Sequence, residues 1–155
     1  MIRQRVQWRA EDVLGGFFAE QHRLATGSRS QRLLTAEADL RACLEAVAAG
    51  LLDPNEHALV ALEHEFHPDG AVARVALAAD LLTVIPVWLD DPRWHGEEQA
   101  DRMLRIRLAE PLMEWIVRLP GIGDVGRAAW RVDAAVRHET WLLRQERESA
   151  RRDAA

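Results

Sequence analysis

The chain reads as an all-α protein, a compact irregular bundle of about six helices in a single domain, and three observations carry that expectation. Apolar residues recur at threes and fours through most of the chain, which is the period of a helix face and not of a strand. Capping residues, prolines and glycines stand where they suit helix ends. No pair of alternating segments flanks a tight turn, so no hairpin is expected. At 155 residues, with 48% hydrophobic and 29% charged side chains, the chain suits one domain with a sizeable core.

Residues 1–9 are expected to form an N-terminal arm. Ile2, Val6 and Trp8 share one parity, and Arg3, Arg5 and Arg9 share the other. A strand here would have no evident partner, so the reading is an irregular arm packed by Trp8, its arginines solvated or touching a phosphate or an acidic partner. From Ala10 to Leu24 the spacing of Val13, Leu14, Phe17, Phe18 and Leu24 is helical. Gly15 and Gly16 inside it cost stability unless a neighbouring backbone comes close, which predicts a tight helix crossing. A loop over Thr26 to Ser30 precedes a second helix, starting near Ser30 or Thr35 and stopped by Gly50. Its inward stripe is Leu33, Ala36, Leu40, Cys43, Leu44, Val47 and Leu51. Cys43 lies within that stripe and reads as a small buried hydrophobe, and as the only cysteine it forms no intrachain disulfide.

Leu52 to Gly70 is the best-delimited stretch. Asp53 supplies an N-cap, Pro54 occupies the first helical position, and Glu56 closes a capping box. His67-Pro68-Asp69-Gly70 ends the helix with turn chemistry. Leu59, Leu62 and Phe66 fall on one side, expected to face the core, while His57, His64 and His67 fall on the other with Glu56 and Glu63 on its flank. Ala71 to Leu89 is apolar on most sides and predicts one or two short helices near the centre, kinked or restarted at Pro86. Asp90 to Gly96 is a loop in which Trp94 covers the core edge. Glu97 to Leu119 is the longest expected helix, with Leu104, Leu108, Leu112, Trp115, Ile116 and Leu119 on its stripe and Pro111 bending it. The last helix runs from Asp124 to about Arg147, with Val125, Ala129, Val132, Val136 and Leu143 on one stripe and Trp130 and Trp141 on an adjacent one. Residues 149–155 are small and charged and are expected to fray.

Composition removes several functions. A net charge of −5 argues against a large nucleic-acid-binding surface, because that binding depends on neutralising phosphates. All 20 basic residues are arginine, which we attribute to a GC-rich bacterial genome; lysine nucleophiles and a P-loop lysine are absent. No tyrosine is present. The longest apolar region, Gly70 to Leu89, is interrupted by Arg74 and Asp80 and carries Pro86, which leaves only Leu81 to Leu89 free of charge and too short to span a bilayer; with no signal peptide evident, a cytoplasmic protein is expected.

Three groups of residues are candidate sites. His57, Glu63, His64 and His67 have the neighbour spacing that brings imidazole and carboxylate to one divalent metal such as zinc, although a solvated face carries the same residues and nothing in the sequence places His22, His95 or His138 nearby. Leu119-Pro120-Gly121-Ile122-Gly123 resembles the hairpin loop of the helix-hairpin-helix family. The resemblance implies that Gly121 and Gly123 present backbone N–H groups to a nucleic-acid phosphate, that Ile122 plugs the hairpin, and that Arg127 and Arg131 add charge. Asp124 follows where these hairpins favour Pro or a basic residue, Arg127 stands where a small residue packs, and the plainer reading is a connection between two helices. GIGDVG also matches a dinucleotide fingerprint but follows a helix instead of a strand and is discarded. No serine stands in a nucleophile elbow, and Asp80, the acid most embedded in apolar sequence, reads as a cap or an arginine partner. Trp130 and Trp141 form the third group, since tryptophan is favoured in contact surfaces. The leading expectation is a non-catalytic interaction or regulatory domain that binds a protein partner or itself. The alternatives are nucleic-acid backbone binding and a metal-dependent enzyme or sensor.

Overall fold

Helix α1, Ala10–Leu24, begins where Asp12 folds back to accept the Arg9 N–H, and it buries Val13, Leu14, Phe17 and Phe18. The computed structural model describes residues 7–155, and 79% of these residues are helical. Ile2, Arg3, Arg5 and Val6 of the expected arm lie outside the described residues. Its end does have a partner, contrary to expectation: Arg9 pairs antiparallel with Leu77, with Ala10 N–H donating to Ala76 O at 2.8 Å and Ala78 N–H to Trp8 O at 2.9 Å. This single bridge is the only β-type pairing among the described residues.

Leu24 points to solvent, since α1 ends there and has nothing further to pack on. No helix backbone crosses at Gly15 and Gly16. Instead the Trp115 ring lies where a Cβ on Gly16 would come within 3.4 Å, so an aromatic side chain, not a second helix, uses the space. Helix α2, Ser28–Leu51, starts earlier than either expected cap and passes through Gly50; its buried face is Leu33, Ala36, Leu40, Cys43, Leu44 and Ala48.

Helix α3, Pro54–Phe66, carries the expected capping box: Asp53 Oδ1 accepts the Glu56 N–H at 2.8 Å and Glu56 Oε1 accepts the Asp53 N–H at 3.2 Å. Its orientation is the main correction. No residue of α3 is buried, and Leu59, Leu62 and Phe66, expected to face the core, are 48%, 52% and 71% exposed. Val60, which falls among the histidines on the opposite side of the helix, is the residue packed against the core.

Helix α4, Ala71–Val75, and a 3-10 turn, Ala78–Asp80, lead into α5, Leu81–Asp90. The apolar segment therefore breaks at Ala76 and Leu77, where it pairs with the arm, and continues through Pro86. Leu81, Leu82, Val84, Ile85, Trp88 and Leu89 are all buried, and α5 packs against α2, α6 and α7 as the central element. Helix α6, Gln99–Val117, opens where Asp101 Oδ2 accepts the Glu98 N–H at 3.3 Å, and α7 spans Gly126–Asp153. Residues 149–153, expected to fray, continue α7. The result is an all-α bundle of seven helices among the described residues, in line with the expectation of about six, with Ala71 to Leu89 divided into two.

Candidate functional site

Helix α7 presents two chemically different faces. Val132, Glu139 and Leu143 point inward and are buried, whereas Trp130 and Trp141 are 63% and 54% exposed. Eleven residues separate the tryptophans, which returns a helix almost to the same direction, so both indoles stand on one side about 16 Å apart along the axis. Arg127, Ala134, Arg137 and Arg144 occupy the same stripe at steps of three and four. The His138 ring stacks on Trp141 at 6.3 Å.

On the inner face, Glu139 is 3% exposed between α5 and α6. Arg102 of α6 approaches it at 3.7 Å while making its main pair with Glu146 at 2.9 Å. Burial raises the Glu139 pKa, and the nearby Asp90 carboxyl raises it further by hydrogen bonding and by like charge, against the opposing pull of Arg102 and His138. Glu139 Oε1 and Arg102 Nε have no hydrogen-bond partner among the described residues.

A second buried charge has a partner at each of its three nitrogens. Arg105 Nε donates to Trp94 O at 2.9 Å, Nη1 to Asp101 O at 3.0 Å, and Nη2 to Asp39. One guanidinium thereby ties α2, α6 and the Asp91–Gly96 loop together. Gly96 has φ +85, and a Cβ there would lie 2.5 Å from Asp101 Cβ and 2.9 Å from Arg105 Nη1, so the loop needs glycine on both counts. Trp94 covers the core edge as expected, with the Arg93 guanidinium 5.5 Å from its ring centroid. Asp80 acts as a cap, accepting the Leu77 N–H at 3.0 Å; burial still raises its pKa. Burial pushes the Cys43 thiol up to about 12, so a fully covered Cys43 is a weak nucleophile.

The sequence-predicted groups are separated by these contacts. Glu63 accepts from Arg74 Nε at 2.9 Å, and the same guanidinium donates to Asp69 O at 2.7 Å and to His67 O, which clamps the end of α3. His64 Nδ1 lies 3.3 Å from Pro68 O. Among the described residues, no three His, Cys, Asp or Glu side chains are grouped to hold a metal ion, so His57, Glu63, His64 and His67 do not converge. Gly121 and Gly123 both have positive φ, +74 and +87, and Ile122 packs against the core as a plug would. Asp124 Oδ1 accepts the Gly126 N–H at 3.2 Å, placing a carboxylate at the helix start that a phosphate would occupy. Arg127 and Arg131 are exposed with no carboxylate within 4.0 Å among the described residues.

Glu139, Arg102 and Arg105 escaped the sequence reading. Glu139 falls on the Val132, Val136, Leu143 stripe, and Arg105 is three residues before Leu108 and seven before Leu112. A charge inside an apolar stripe is the signal that could have found them.

Fold and surface define an all-α bundle with apolar side chains turned outward on α3 and α7. No protein-family model, no curated protein and no solved structure matches the chain. No helix among the described residues is long and apolar enough to cross a membrane.

Proposed function

We propose that this chain is a non-catalytic protein-interaction domain that associates with a second copy of itself, the outward face of α3 docking on the tryptophan stripe of α7. The observation that carries this is the capped α3 helix, which buries none of its residues yet turns Leu59, Leu62 and Phe66 outward. Large exposed apolar side chains gathered on one helix face mark contact surfaces. The choice of partner rests on charge. Glu56, Glu65 and Asp69 border the α3 face, whereas Arg127 and Arg131 border Trp130 at the start of the tryptophan stripe, so one copy supplies an acidic apolar ridge and the other a basic aromatic one. The hairpin-loop alternative is disfavoured by the Asp124 carboxylate at the proposed phosphate position, and the metal alternative by the commitment of Glu63 to Arg74.

Sedimentation analysis of Phe66→Asp and Trp141→Asp variants tests the pairing. Each variant alone is expected to be monomeric where the wild type dimerises. An equimolar mixture should recover a dimer, because it retains one intact α3 and one intact α7. A wild type that stays monomeric at all concentrations would sink the proposal, and failure of the mixture to associate would exclude the α3-to-α7 arrangement.

A further inference from the structure

We infer that the cleft between α6 and α7 binds a small amphipathic carboxylate, its apolar body lying on Met103, Ile106 and Leu143 and its charged end held by Arg107, Arg144 and Arg147. The cleft has a volume of about 290 Å³, near the lower end of the range for small-molecule sites. Its floor is apolar: Leu143 is buried, and Met103 and Ile106 are half-buried. Thr140 completes the wall, with its hydroxyl donating to Val136 O at 2.7 Å and its oxygen free to accept only.

The rim is cationic in a chain that is acidic overall. Arg107 comes from α6, and Arg144 and Arg147 come from successive turns of α7, which folds back along α6 so that Arg147 reaches Met103. None of the three has a carboxylate within 4.0 Å among the described residues. Two acids beside them on α7 are engaged elsewhere, Glu146 with Arg102 and Glu148 with Arg152. Three guanidiniums around one cleft repel each other, and an anion seated among them relieves that repulsion. A free inorganic anion would leave the apolar floor wet. A ligand that has both a carboxylate and a hydrocarbon body satisfies rim and floor together, and a fatty carboxylate of about ten carbons is a simple ligand of that class.

Isothermal titration of the full chain with decanoate, decanol and inorganic phosphate tests this. Decanoate is expected to bind at one site per chain, with decanol and phosphate each weaker by about tenfold or more, the loss expected when one charge-assisted contact set or the apolar contact is removed. The exposed pair Arg107→Gln with Arg147→Gln should weaken decanoate by a similar factor with unchanged helix content, and Arg107→Lys with Arg147→Lys should retain most of the affinity. Equal binding of decanol, equal binding of phosphate, affinity untouched in the glutamine pair, or no decanoate binding would each overturn the assignment.

Discussion

Helices α3 and α5 are similar in length, 13 and 10 residues, yet they are stable for opposite reasons. Helix α3 is held at its ends: Asp53 and Glu56 cap one, Arg74 clamps the other, and nothing along its length is buried. Helix α5 has no side-chain cap and a proline at its middle, and it stands because six of its ten residues are buried, Trp88 fully. Caps contribute on the order of 1 kcal/mol each, whereas burying one large apolar side chain contributes about 1.5–3 kcal/mol. Good end signals therefore define a helix without anchoring it, and a poorly signalled helix can be the anchor of the fold.

The largest expected effect lies in α5. Trp88→Ala should cost about 3–5 kcal/mol in urea unfolding followed by circular dichroism, because it removes a fully covered indole at the junction of α2, α6 and α7. A loss below that of a typical surface change would show that α5 is not the anchor.

Where α7 meets α5, the effect depends on pH. The native state raises the Glu139 pKa above its ordinary value of 4.5, chiefly by burial, so it binds the proton more tightly than the unfolded chain does. Stability from this group is complete below the unfolded value and falls as pH rises from there through the raised native value. Glu139→Gln should remove that decline, leaving the variant more stable than wild type on the high-pH side. Parallel stability curves for the two proteins across that window would contradict the buried-proton account.

For α3, Asp53→Ala should cost about 1 kcal/mol and act locally. Hydrogen exchange at the first turn of α3 is expected to accelerate while exchange in α5 is unchanged; equal acceleration in both would mean that α3 unfolds only with the core. Phe66→Ser should be the smallest change, within about ±0.5 kcal/mol when measured on dilute protein, as for exposed positions generally. A loss near that of Trp88→Ala would remove the contrast between the two helices.

Much of the fold was legible, and particular residues show why. The α2 stripe from Leu33 to Leu44 and the α6 stripe from Leu104 to Ile116 are buried as their periodicity requires, because each helix has one continuous apolar face and one place to put it. The Asp53 cap was equally plain, since capping is a contact between residues three apart. The candidate sites were less legible. Glu63 and His67 have metal-compatible spacing, but their engagement by Arg74, seven to eleven positions later, depends on how the Pro68–Gly70 turn folds back.

By itself the sequence determined the all-α class, the caps, the turns and the inward stripes of the long helices, all of which follow from contacts within a few residues. Tertiary structure alone decided that α3 turns Leu59, Leu62 and Phe66 outward, that Arg9 finds Leu77, that Arg105 joins α2 to α6, and that three arginines converge on one apolar cleft. Those outcomes depend on which helix faces the shared core has room to bury. Periodicity gives a helix an apolar face, and only the packing of the whole chain determines whether a surface is available to receive it.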